Sequence, residues 1–191
     1  MARTQAEDYG EKRAAIVEEA ARLFAAKGFD GASLADLADA CGMSKSLFYH
    51  YYPSKEQILY AVMDGHMAAL LTAIEPAPGS DPALALQRFA RALLRLYAGA
   101  ADRQKVLLYE LARLPVAERR QIVAKERKLV AHVEDILTRA APRTEKAALR
   151  ARAMLFFGML NWTHTWLKPG AGLSRDEVAD LSARTILATS A

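Results

Sequence analysis

Leu34-Ala35-Asp36-Leu37-Ala38-Asp39-Ala40-Cys41-Gly42-Met43-Ser44-Lys45-Ser46-Leu47-Phe48-Tyr49-His50-Tyr51-Tyr52 is the stretch that decides the fold. It reads as two short helices joined by a turn at Gly42. The small Ala38 stands four positions before that glycine, and the bulky Phe48 six after it. Two helices cross closely only where the first presents a small side chain, the turn tolerates a positive φ, and a large side chain on the second fills the corner. This is the helix-turn-helix pattern, whose second helix enters the major groove of DNA.

The register of that second helix sharpens the reading. Phe48 and Tyr52 lie one turn apart and face inward, which turns Lys45, Ser46, Tyr49 and His50 outward, with Leu47 at the edge of the same face. These residues offer donors to phosphates and base edges, and Leu47 an apolar contact for a thymine methyl. No Asp or Glu occurs between Ala40 and Lys55. Ser44 caps this helix, and Pro53 ends it at Tyr51 or Tyr52. Lys55 and the open N–H groups behind Ser54 form a phosphate site at the start of the next helix.

Outward from this core the periodicity is helical throughout, and no alternating run argues for a strand. Nine helices of an all-α protein are expected. The first runs from Glu11 to Lys27, with Ile16, Ala20, Leu23 and Phe24 on one stripe and Gly28 as its stop. Ser33 with Asp36 opens the second with a short-armed capping box. A fourth runs from Lys55 to about Ile74. The three prolines of Glu75 to Pro82 mark a boundary. Further helices span about Pro82 to Gly99, Arg103 to Leu114, Val116 to Ala141, Thr144 to Leu167 and Ser174 to Ala188, the last opened by a Ser174–Glu177 capping box. The expected organisation is a flexible arm over 1–10, the helix-turn-helix domain over 11–55, a connecting helix over 56–75 and a body over 76–191.

The run Gly42 to Glu56, with Phe24, Gly28 and Phe29 leading into it, resembles the signature of the TetR family of bacterial transcriptional regulators, densely over about 50 residues. That resemblance implies an all-helical homodimer with a small helix-turn-helix head and a larger bundle for effector binding and dimerisation. By matching positions it implies DNA contacts at Lys45, Tyr49, His50 and Lys55, and a phosphate contact at Ser33; Ser44, Ser46 and Leu47 complete the candidate DNA-binding set. Two positions depart from the pattern: Leu47 replaces a small polar residue, and Tyr51 a frequent histidine.

A second resemblance covers Phe157 to Trp162, then Trp166, Pro169, Gly170, Leu173, Ser174 and Glu177. This stretch looks like the end of TetR-type repressors of fatty-acid, phenylacetate or steroid degradation, which respond to coenzyme A thioesters. Charge placement points the same way. The 191 residues carry a net +4, yet residues 1–55 hold 7 Lys/Arg against 8 Asp/Glu, and residues 84–152 hold 16 against 7. Excess base in the body suits an anionic effector better than a neutral hydrophobic drug. The candidate effector contacts are Tyr109, Arg113, Phe157, Asn161, Trp162, His164 and Thr165. Trp162 and Trp166, one turn apart, fit core or dimer packing better than a ligand cage. An efflux or detoxification regulator sensing a drug-like molecule is the alternative.

Other classes fare worse. With 52% hydrophobic and 25% charged residues the chain is neither disordered nor fibrous. Its longest apolar run, Ala153 to Leu160, is too short for a bilayer, so no membrane partner is expected. A single cysteine, Cys41, and a polar opening without a secretory pattern suit a bacterial cytoplasm, with the chain associated with the nucleoid. There is no Gly-rich phosphate loop and no His-Glu-x-x-His, and the histidines at 50, 66, 132 and 164 are scattered. Neither catalysis, a metal nor a cofactor is expected. The partners implied are double-stranded operator DNA, a small-molecule effector such as an acyl-CoA, and a second copy of the chain.

Overall fold

The computed structural model describes the backbone of residues 2–74, 81–168, 170 and 172–188, and side chains from Glu7 onward. Among these residues there are nine α-helices, one 3-10 turn and no strand. The helices are α1 (Ala2–Gly31), α2 (Leu34–Ala40), α3 (Lys45–Tyr51), α4 (Lys55–Leu71), α5 (Pro82–Gly99), α6 (Ala101–Glu110), α7 (Val116–Ala140), α8 (Lys146–Trp166) and α9 (Arg175–Ala188). The 3-10 turn Leu111–Arg113 follows α6. Most of the proline-rich boundary, Glu75 to Ser80, and Pro169 lie outside the described residues.

Contacts divide the chain into two compact units: Met1–His66 with Asp102–Ile122, and Met67–Ala101 with Val123–Ala191. Thus α6 joins the helix-turn-helix rather than the body in which the sequence partition put it. Long-range pairs hold it there. Arg103 pairs with Glu18, Arg113 with Asp30 at 2.6 Å, and the buried Gln104 Oε1 accepts from His66 Nε2 at 2.7 Å. Burial holds the His66 imidazole below its ordinary pKa.

In the first unit α1 begins at Ala2, so the segment expected as a flexible arm is helical. An Asp8–Lys12 ion pair one turn apart (2.8 Å) and the packing of Tyr9 on Tyr51 support those early turns. Gly28 interrupts the helix at φ +73°, a conformation that calls for glycine, and a Cβ there would sit 3.3 Å from Glu110 Oε1, so that carboxylate would have to shift slightly. Of the inward positions expected, Ile16, Ala20, Phe24, Ala38, Phe48 and Tyr52 are almost completely buried, whereas Leu23 is only half-buried; Leu37 joins them in the core.

In the second unit α5 buries Leu86, Phe89, Ala90, Leu93, Leu94 and Tyr97, and α9 packs along α5 and α8. Asp81 caps α5 by accepting from Leu84 N, with Pro82 in the first turn; Ser174 and Glu177 form the expected box before α9. Phe89 lies against Phe156, Phe157 and His132, at ring-centroid distances of 6.4, 6.4 and 4.8 Å.

Candidate nucleic-acid interface

The turn between α2 and α3 works by local chemistry. Ser33 Oγ accepts from Asp36 N (3.0 Å) while Asp36 Oδ2 accepts from Ser33 N (2.8 Å), a complete capping box. Those bonds, the side-chain one from Ser33 Oγ foremost, hold the Asp36 carboxyl below its usual range. Gly42 takes φ +64°, which turns the chain from α2 into α3, and Ala38 and Phe48 on the two helices are both buried. Ser44 Oγ then caps α3 by accepting from Leu47 N at 3.3 Å.

Seven residues cannot sustain a helix in water, so packing sets the position of α3. Phe48, Tyr51 and Tyr52 point inward, whereas Ser44, Lys45, Ser46, Leu47, Tyr49 and His50 are exposed. One contiguous face therefore carries an ammonium, hydroxyls, a phenol and an imidazole, with no carboxylate between Ala40 and Lys55. That is the donor-rich surface a major groove requires. Leu47 and Tyr49, nearly half exposed, are large apolar groups that a monomer in water leaves uncovered.

Three residues stand differently from the sequence reading. Tyr51, which stands where the family pattern often has a histidine, is buried and stacked on Tyr9. The Ser33 hydroxyl, expected to meet a phosphate, donates to Asp36 Oδ2 at 2.6 Å. Lys55, expected at a phosphate, donates from Nζ to the carbonyls of Phe29 (2.7 Å) and Ala32 (2.9 Å) and lies 4.2 Å from the Phe29 ring centroid. It closes the end of α1, whose last carbonyls have no helical partner. Accordingly, Lys55→Met should lower stability by about 1–3 kcal/mol in urea unfolding, because the Ala32 carbonyl loses its donor and the Phe29 carbonyl keeps only a long bond from Ala32 N (3.4 Å).

The candidate effector residues separate. Tyr109 and Arg113 belong to the first unit; Tyr109 is exposed, and Arg113 pairs with Asp30. The other five lie along α8. Phe157 is buried, and Asn161 Oδ1 accepts from Tyr97 Oη at 3.0 Å. Trp162, His164 and Thr165 face outward, the last two bonding to α8 carbonyls. Two of the three α5 arginines are committed to α9: Arg91 grips Asp180 with a two-pronged contact (2.7 and 2.5 Å), and Arg95 meets Asp176 at 2.6 Å. Arg88 on α5, and Arg127 and Lys128 on α7, are exposed and form no ion pair among the described residues.

Sequence reading gave Trp162 and Trp166 to core or dimer packing but did not find the open groove they belong to. Met154, Leu155, Trp162 and Trp166 of α8, with Leu173 and Leu181 at α9, are each about half exposed or more and line a groove of about 850 Å³. Because residues 153–167 are apolar nearly all round, periodicity cannot tell the covered side from the open one.

Fold and face together define a helix-turn-helix protein with a helical body. Comparison with known proteins completes the assignment. Residues 16–62 match the model of bacterial regulatory proteins of the tetR family, and residues 79–189 the Tetracyclin repressor-like C-terminal domain. A crystal structure of a TetR-family transcriptional regulator from Bordetella parapertussis is 35% identical, with a TM-score of 0.84 over 92% of this chain and 93% of that one. AibR, solved in complex with isovaleryl coenzyme A and operator DNA, is 29% identical, with a TM-score of 0.80 over 91% and 97%. The regulator EthR of Mycolicibacterium smegmatis is 37% identical over 82 residues, 41% of this chain and 37% of EthR. The matches with the first curated relatives cover only 22% and 37% of those proteins. The chain belongs to the TetR family.

Proposed function

We propose that the chain is a homodimeric, effector-responsive transcriptional regulator, which represses from a palindromic operator and is released by an acyl-CoA thioester. The exposed, acid-free face of α3 carries the DNA reading. Two such helices, one per subunit, enter successive major grooves, so that the symmetry of the protein matches that of the operator. Dimerisation is assigned to the apolar groove of α8 and α9, a surface of bulky side chains that a second copy would cover. Effector bound in the body shifts the pair of heads to a spacing the operator does not fit, with α4 as the lever. DNA affinity then falls by the ratio of effector affinities for the two arrangements.

The thioester reading rests on the likeness to AibR and on Arg88, Arg127 and Lys128, cations in the second unit without an acidic partner among the described residues. Coenzyme A presents a pyrophosphate and a ribose phosphate to such groups. Thermal melts test it with acyl-CoAs, free coenzyme A, the free acids and neutral hydrophobes. A thioester at about 100 times its Kd adds roughly 2.7 kcal/mol of stability. Stabilisation by a neutral hydrophobe alone would favour the drug-sensing alternative.

For the DNA face, Tyr49→Ala and Lys45→Ala should each weaken binding to a selected operator in gel shifts at fixed salt. Loss of the Lys45 ammonium also lowers the slope of log affinity against log salt by about one. Unchanged binding in both variants would remove α3 from the interface.

A further inference from the structure

We infer that Tyr9, on the first turns of α1, is a positioning residue that sets the DNA-reading geometry of His50 and thereby the base preference at the end of α3. This rests on the reading of α3 as the DNA helix. Tyr9 stacks on Tyr51 (centroids 4.8 Å apart, planes at 25°) and meets His50 edge-on at 6.2 Å and 80°. His50 in turn stands edge-on to Tyr51 at 5.9 Å and 79°. The imidazole thus stands edge-on to both rings of the Tyr9–Tyr51 stack, which bounds it on one side. Arg13, one turn after Tyr9, extends the assembly: its guanidinium lies 4.8 Å from the Tyr52 ring centroid and 6.0 Å from that of Tyr9, and its Nε donates to Tyr52 Oη at 3.4 Å.

The physical consequence follows from the length of α3. A seven-residue helix ending at Tyr51 has no further turn to stiffen its last residues. Phe48 anchors its middle; the ring stack anchors its end. An exposed imidazole with two rotatable bonds samples several rotamers unless neighbours exclude them, and a contact to a base edge needs one of them. Tyr9 excludes rotamers without itself standing on α3. Its position, outside the helix-turn-helix and in a segment that reads as a polar arm, hides this role from the sequence.

The test begins by selecting an operator from random duplexes with the wild-type chain, then measures wild type, Tyr9→Ala, Tyr9→Phe, His50→Ala and Tyr9→Ala/His50→Ala on single-base-pair variants of it. Tyr9→Ala should bind the selected operator about tenfold more weakly, the scale of one or two aromatic pairs. It should also flatten discrimination at the same base pairs as His50→Ala and leave the others as in wild type. Tyr9→Phe, which keeps the ring, restores both, and the double variant discriminates no worse than His50→Ala. Two results overturn the inference: a base preference in Tyr9→Ala equal to wild type, or a loss uniform over all positions and matched by a lower melting temperature. If the wild-type chain enriches no duplex, the DNA-binding reading itself fails, and the inference with it.

Discussion

A chain carrying Leu155→Arg and Trp162→Arg should sediment as a monomer and lose operator affinity by about 10²- to 10⁴-fold. The two residues are seven positions apart, two helical turns, and project from one stripe of α8. They are 63% and 60% exposed within the subunit, so the substitutions open no cavity in its core and far-UV helix content should be retained. Four charges across the proposed two-fold contact, with no acidic side chain among the described residues that line the groove, would have to be desolvated to keep it. Without the contact each head binds its half-site alone, and the gain from joining two heads, about 10²- to 10⁴-fold, disappears. Analytical ultracentrifugation and gel shifts measure the two effects separately. A variant that remains a dimer would place the subunit contact elsewhere.

Phe48→Ala should cost about 3–5 kcal/mol, the range for emptying a fully buried aromatic site. Phe48 on α3 is 1% exposed, and Ala38 on α2 is wholly buried. Neither α2 nor α3, at seven residues each, has helical stability of its own to offset the void. The α3 face should therefore lose its definition, with operator binding lost while much of the remaining helix persists. Urea unfolding followed by circular dichroism gives the first quantity and gel shifts the second. Phe48→Leu, which leaves a smaller void, should recover part of both.

Much of the head was legible because its determinants are local. Capping boxes act over three residues, a positive φ needs a glycine, and a seven-residue helix with one inward stripe has only one register; Ser33–Asp36, Gly28, Gly42 and Phe48 all stand as their spacing requires. The charge argument was legible only in part. Composition places the excess base beyond residue 84, but does not reveal that Arg91 and Arg95 meet Asp180 and Asp176, 89 and 81 positions later.

By itself, then, the sequence determined an all-helical architecture, the order of the nine helices found among the described residues, and a helix-turn-helix with an acid-free outer face. These follow from periodicity and from interactions within a turn or two. Only the tertiary structure decided that α6 packs with the head, that Lys55 closes α1, that Tyr51 lies beneath Tyr9, and which side of α8 stays open. Each depends on residues distant along the chain, and an apolar or cationic side chain accepts many partners with similar energy. The choice among those partners is made by packing, which no local pattern records.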